Sequence, residues 1–117
     1  MDQVRLEALE PFITLDGSSI RELANTDHQS LAEATVPPGG ETEAHFHRTT
    51  EELYFFTAGA GWMQFGDEIV EVGAGECVTI PPGTEHKLWN TGGDPLVLLC
   101  CCAPGYSHED TVVTETS

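Results

Sequence analysis

An all-β domain is the fold class this sequence predicts, on three observations. Short runs rich in β-branched and aromatic residues alternate with turn signals at close spacing. No stretch of ten residues carries an apolar stripe at helical spacing. A length of 117 residues provides for one hydrophobic core but not two. Residues 1–117 are therefore expected to form a single domain, with a core barrel over about 30–103, edge strands within 1–29 and a tail over 104–117.

The elements follow in chain order. Phe12-Ile13-Thr14 reads as a short strand, Asp16-Gly17-Ser18-Ser19 as a turn, and Ile20-Arg21-Glu22-Leu23 as the return. A strand over 30–36 ends at Pro37-Pro38-Gly39-Gly40, and strands over 42–47 and 53–57 follow. Gly59-Ala60-Gly61 breaks the last of these. Runs 62–65 and 68–72 flank Gly66-Asp67 as a hairpin. Gly73-Ala74-Gly75 leads into 77–80. Pro81-Pro82-Gly83 combines a fixed φ with a residue that tolerates positive φ, which suits a turn. Runs 85–89 and 96–102 complete the barrel around a turn at 90–94. The tail either caps one end of the barrel or frays, and fraying is expected of its last few residues.

Four Lys and Arg against 20 Asp and Glu give a net charge of −16. Such a field repels phosphate backbones and anionic membranes, so neither nucleic acid nor membrane is an expected partner. The opening residues Met1-Asp2-Gln3-Val4-Arg5 carry acid and no apolar core, which predicts no secretory signal. The longest apolar run, 96–103, is too short to cross a bilayer. Cys77 and the run Cys100-Cys101-Cys102 read as reduced thiols on strands, one of which can lie near a polar pocket. A soluble cytoplasmic protein is the expectation.

The chemistry centres on His45-Phe46-His47, Glu51-Glu52 and His86. Two histidines one residue apart project to the same side of a strand. A carboxylate on the next strand and a third imidazole further on make three nitrogens and one oxygen, a set that suits a divalent first-row metal. The donor set does not choose between Fe, Mn, Ni, Co, Cu and Zn.

These residues also carry a family resemblance. Gly39, His45, His47, Glu52 and Gly59 match the motif Gly-x5-His-x-His-x(3,4)-Glu-x6-Gly. Gly75, Pro81, Gly83, His86 and Asn90 match Gly-x5-Pro-x-Gly-x2-His-x3-Asn. Both are signatures of the cupins, which the chain resembles over 39–90 and, by its strand signals, over nearly its whole length. The resemblance implies a double-stranded β-helix, or jelly-roll, barrel, with His45, His47, Glu52 and His86 as metal ligands. A spacing of three from His47 also admits Glu51 as the carboxylate, whereas the six-residue count to Gly59 selects Glu52. A shift of one residue turns that side chain to the opposite face.

Around the ligands, Tyr54 and Phe56 continue the inward face from Glu52, while Leu88 and Asn90 share parity with His86. Tyr54 offers a hydroxyl, and Glu51 or Tyr54 is the candidate proton acceptor. Asn90 reads as a turn former. His28 and His108 lie outside both motifs, although 106–108 can fold over a barrel mouth. Arg48 and Lys87 face away from the ligand side, leaving Arg21 as the one cation able to swing inward, so sugar-phosphate chemistry is poorly supported.

Three functions fit. The first is a metal-dependent dioxygenase of a small organic substrate, the second a Lewis-acid isomerase or lyase, and the third a non-catalytic small-molecule binding module. The resemblance further implies a homodimer, to which Leu53 and Phe55 on the outer face can contribute.

Overall fold

The computed structural model describes residues 2–115. A 3-10 turn, Leu6–Ala8, precedes eleven strands: β1 Phe12–Ile13, β2 Ser19–Asn25, β3 Ser30–Val36, β4 His45–His47, β5 Glu51–Ala58, β6 Ala60–Phe65, β7 Glu68–Gly73, β8 Cys77–Ile80, β9 His86–Trp89, β10 Leu96–Ala103 and β11 Thr111–Val113. They form two antiparallel sheets, one ordered β1-β2-β3-β10-β5-β8 and the other β11-β4-β9-β6-β7. Neighbours far apart in sequence alternate between the sheets, which gives the jelly-roll barrel.

The strand alternation follows the side chains. Along β3 every second residue is buried, from Ser30 to Val36, and along β5 Glu52, Tyr54 and Phe56 turn inward while Glu51, Leu53 and Phe55 turn out. Phe56, Met63, Ile80, Leu96 and Leu98 are fully buried between the sheets and form the apolar end of the barrel. Cross-strand pairing sets the register: Glu52 lies opposite Cys102 and Ile80, Tyr54 opposite Cys100 and Val78. His45 pairs with His86, and Thr111 with His47. The β6–β7 hairpin closes at Gly66-Asp67 with φ 58° at Gly66 alone, the pattern of a type II′ turn.

Three expectations change. β4 starts at His45 rather than at residue 42, because the Thr42 hydroxyl accepts the Leu88 N–H at 3.0 Å and takes the place of a ladder bond. The region 1–29 is more than an edge: β2 pairs with β3 along its length, and the turn before it enters the site. The tail does not fray within the described residues. It adds β11 to the five-stranded sheet, and the carboxylate of Asp110 accepts the N–H groups of Thr49 at 2.9 Å and Thr50 at 3.0 Å. Fraying of Thr116 and Ser117 lies outside the described residues.

Candidate metal centre

Two sheets supply the site between them. β5 of the six-stranded sheet brings Glu52, and β4 and β9 of the five-stranded sheet bring the three histidines. The turn after β8, with Gly83 at φ 82° and its N–H on the His47 carbonyl at 2.7 Å, returns the chain so that His86 lies beside His45. One ligand atom from each of His45, His47, Glu52 and His86 lies within 4.8 Å of the others, and all four residues are buried. Two ligand bonds of about 2.1 Å span about 4.2 Å across one cation, so an inward shift of a few tenths of an ångström per side chain brings the four to a shared centre.

Each imidazole is oriented by its outer nitrogen. His45 Nδ1 donates to the Glu43 carbonyl at 2.8 Å and His86 Nδ1 to the Thr84 carbonyl at 2.9 Å. His47 Nδ1 meets the Thr111 hydroxyl at 3.0 Å, and that hydroxyl already donates to the Ser107 carbonyl at 2.9 Å. The hydroxyl must therefore accept from His47. All three rings carry their proton on Nδ1 when neutral, and all three Nε2 lone pairs face inward. Hydrogen bonding of the outer nitrogen in this way is the usual support of a metal-bound histidine.

At the centre, Glu52 Oε1 lies 3.2 Å from His47 Nε2 and 3.3 Å from His86 Nε2. Neither approach is a hydrogen bond, and both Glu52 Oε1 and His86 Nε2 are left buried without a partner. Orphaned buried acceptors of this kind are costly, and a cation between them removes the cost. The residues fit a metal on that ground. The second oxygen, Oε2, accepts the Cys102 S–H at 3.2 Å.

Electrostatics agree with the geometry. Burial raises the Glu52 pKa, but its contacts with His47 and His86 outweigh that and hold it well below the usual carboxylate range. Burial lowers His47, yet the close carboxylate of Glu52 prevails and raises it. Burial, then the charge of His86, lowers His45. Burial, then Glu52, pushes the Tyr54 hydroxyl and the Cys100 thiol well up.

A narrow pocket open to solvent adjoins the cluster. Ala32, Ala34, Val36, Leu88 and Leu98 form apolar walls, and Tyr54, Cys100 and Cys102 line it near the ligands. Tyr54 is where the sequence places it, 5.7 Å ring to ring from His86, and in the metal-free protein burial and the charge of Glu52 favour its protonated form. Glu51 is exposed on the outer face of β5 and does not line the cavity, so its expected role in proton transfer is withdrawn. Strand parity separates it from Glu52. Asn90 is a buried turn lock, donating to the carbonyls of Val36 at 2.9 Å and Asp94 at 2.8 Å. His108 is exposed and meets only the Tyr106 hydroxyl, whereas Tyr106 itself stands edge-on to His47 at 5.9 Å and lines the cavity. Arg21 does not swing inward: it pairs with Glu33 at 2.5 Å on the outer face. Lys87 is held by Glu41 and Glu115.

Two features escaped the sequence. Thr111 sits 64 residues from His47 and is brought to it only by β11. Asp16 lies in the β1–β2 turn, whose backbone carbonyl accepts the Glu43 N–H at 2.6 Å and so docks beside β4. Its Oδ2 comes within 3.4 Å of His45 Nε2. The turn itself was legible in Asp16-Gly17-Ser18, but not its destination.

Among known proteins, the model of the cupin domain family matches residues 32–102. The chain belongs to the cupin family. An uncharacterised protein of Methanocaldococcus jannaschii is 47% identical to this cupin, over 93% of the chain and 91% of its own length. A mannose-1-phosphate guanylyltransferase of Escherichia coli is 31% identical over 74% of the chain, which spans only 18% of that enzyme's length. The polyketide cyclase RemF from Streptomyces resistomycificus superposes with a TM-score of 0.84 at 24% identity, covering 100% of this cupin and 87% of the cyclase. At that identity the likeness speaks for the fold. No helix among the described residues is long and apolar enough to cross a membrane.

Proposed function

We propose that this cupin is a metal-dependent enzyme acting on a small organic substrate, with His45, His47, Glu52 and His86 holding the metal. The observation that carries the reading is the inward convergence of three Nε2 lone pairs on a carboxylate oxygen, with two of those atoms buried and unpartnered. A metal held by these four donors would keep coordination capacity for substrate or co-substrate. Bound there, a divalent metal supplies Lewis acidity and, if redox-active, electron exchange with dioxygen. The chain's own residues do the rest. Apolar walls exclude water from the reacting atoms. Tyr54 keeps its proton and offers a hydrogen bond to a substrate oxygen. Cys102 occupies Glu52 Oε2 and leaves Oε1 free to face inward.

A dioxygenase of a small enolisable or phenolic substrate is the first reaction class within this reading. A second, Lewis-acid isomerisation, elimination or cyclisation, stands beside it, because three imidazoles and one carboxylate suit redox-inert and redox-active ions alike. The phosphorylated sugars of the guanylyltransferase relative are not part of the proposal, since none of Arg5, Arg21, Arg48 and Lys87 lines the cavity. A homodimer joined through the outer face of β5, where Leu53 and Phe55 are exposed, completes the reading; sedimentation checks it.

Metal analysis of protein purified without a chelating tag, with His86→Ala alongside, tests the site. One equivalent of metal retained by the parent and lost in the variant is the expected result. Oxygen uptake with iron or manganese loaded, screened over diketones, catechols and thiols, then separates the classes. No uptake retires the dioxygenase, and anaerobic turnover with zinc establishes the alternative.

A further inference from the structure

A carboxylate outside the ligand set faces the same centre. Asp16 is 8% exposed and lines the cavity. The Thr14 hydroxyl and the Ser18 N–H, at 3.1 Å, donate to its Oδ1, and the Ser18 hydroxyl donates to its Oδ2 at 2.8 Å. These donors fix its rotamer. Oδ2 keeps an unused lone pair, and it points to His45 Nε2 at 3.4 Å. That nitrogen has no proton to offer, because the ring's proton is committed to Glu43. Two acceptors thus face each other across a gap where a donor or cation belongs.

Charge arithmetic turns this arrangement into selectivity. A divalent cation with Glu52 alone has a residual charge of +1 and attracts anions into its open positions. Asp16 brings the sum to zero. An anionic ligand then carries uncompensated charge into a cavity with apolar walls, which is expensive. No Lys or Arg lines the cavity to offset it, and Glu22 adds a further acid to the lining. An uncharged ligand with an O–H or N–H group meets no such cost and satisfies the spare lone pair of Asp16.

We propose that Asp16 is a specificity-determining residue that restricts this site to uncharged, donor-bearing small molecules such as alcohols, hydroxyketones or amides, and excludes carboxylates and phosphate esters. This rests on the metal-site reading above and names the substrate class for it.

The test uses the cobalt-loaded protein and two small probes of opposite kind, azide as the anion and imidazole as the neutral donor, each titrated by visible absorption. Asp16→Asn keeps the shape of the side chain and removes the charge. In the cobalt-loaded variant, azide affinity is expected to rise by about tenfold or more while imidazole affinity stays within about threefold; cobalt affinity itself is expected to fall, because the same carboxylate attracts the cation. An unchanged azide affinity, or equal loss of both probes, overturns the proposal. A second measurement needs no metal. Iodoacetamide and iodoacetate are matched in size and differ in charge, and Cys102 lines the cavity while Cys77 is exposed outside it. The preference for the neutral reagent at Cys102, referenced to Cys77 and read by peptide mass spectrometry, is expected to be about tenfold greater in the parent than in Asp16→Asn, since Glu52 beside Cys102 is common to both. Equal preferences overturn the proposal, as does a Cys102 that neither reagent can reach. Failure of cobalt to bind sinks the metal reading and leaves the charge exclusion to be judged at Cys102.

Discussion

Replacing Thr111 by Val tests whether the tail holds the metal centre together. The change is close to isosteric, so packing at this residue, 9% exposed, is preserved. What disappears is one oxygen serving two bonds, the acceptor for His47 Nδ1–H at 3.0 Å and the donor to the Ser107 carbonyl at 2.9 Å. Leaving buried polar partners unmet costs about 1–3 kcal/mol, which urea unfolding of the metal-free protein reads directly. The second consequence is specific to the site. Without an acceptor on Nδ1, the His47 ring is no longer held in the tautomer that aims a lone pair inward. Loss of such a support typically weakens metal binding 10- to 100-fold, or about 1.4–2.8 kcal/mol. Competition against a chromophoric chelator measures it. Thr111→Ser keeps the hydroxyl and is expected to bind metal within about threefold of the parent. An unchanged affinity in Thr111→Val, with His86→Ala abolishing binding, would refute the role assigned to the tail.

Other outcomes follow from the same geometry. Glu52→Gln is expected to weaken metal binding at least 100-fold, or about 2.8 kcal/mol, whereas Glu51→Gln, on the outer face, leaves it unchanged; the same chelator competition reads both. Metal and proton compete for His47, so apparent affinity should fall about tenfold per pH unit below its raised pKa. In the metal-free protein, the His47–Glu52 pair contributes stability that is complete below the ordinary imidazole pKa of about 6.5 and is lost as pH rises through the higher folded value. His45, whose pKa is lowered, acts in the opposite direction and costs stability as pH falls below about 6.5. Unfolding of the parent and Glu52→Gln across pH 5–9 separates them, because the loss at rising pH should vanish in the variant. Gly59→Ala is expected to cost about 2–4 kcal/mol. The glycine has φ 79°, and a Cβ there would stand 2.3 Å from the Pro95 carbonyl oxygen, so equilibrium unfolding should show a loss that no metal restores.

Much of the barrel was legible because strand chemistry is local. The β6–β7 hairpin followed from Gly66-Asp67 between apolar runs, and the inward face of β5 followed from parity, which also separates Glu52 from Glu51. The ligand cluster was legible for a related reason: each half of it, His45 with His47 and Pro81-Gly83 with His86, is a short rigid unit whose internal spacing sets its side-chain directions. The strand in the tail is a short β-branched run, Thr111-Val112-Val113, set among polar and acidic residues that mask its signal; it pairs because β4 presents an open edge and Asp110 finds the amides of Thr49 and Thr50. Arg21 was assigned the wrong reach for the same kind of reason, since Glu33, its cross-strand partner, is visible only once β2 and β3 are in register.

Alternation of apolar and polar residues and the turn chemistry of Gly and Pro were enough to specify an all-β barrel and to aim three imidazoles and one carboxylate inward, because both act over a few residues. Only the tertiary structure joined those side chains into one centre, since Glu52 comes from one sheet and the histidines from the other. The fold alone also delivered Asp16 and Thr111 to it. Their distances of 3.4 Å and 3.0 Å from the histidines depend on contacts spanning tens of residues, and no local pattern encodes them.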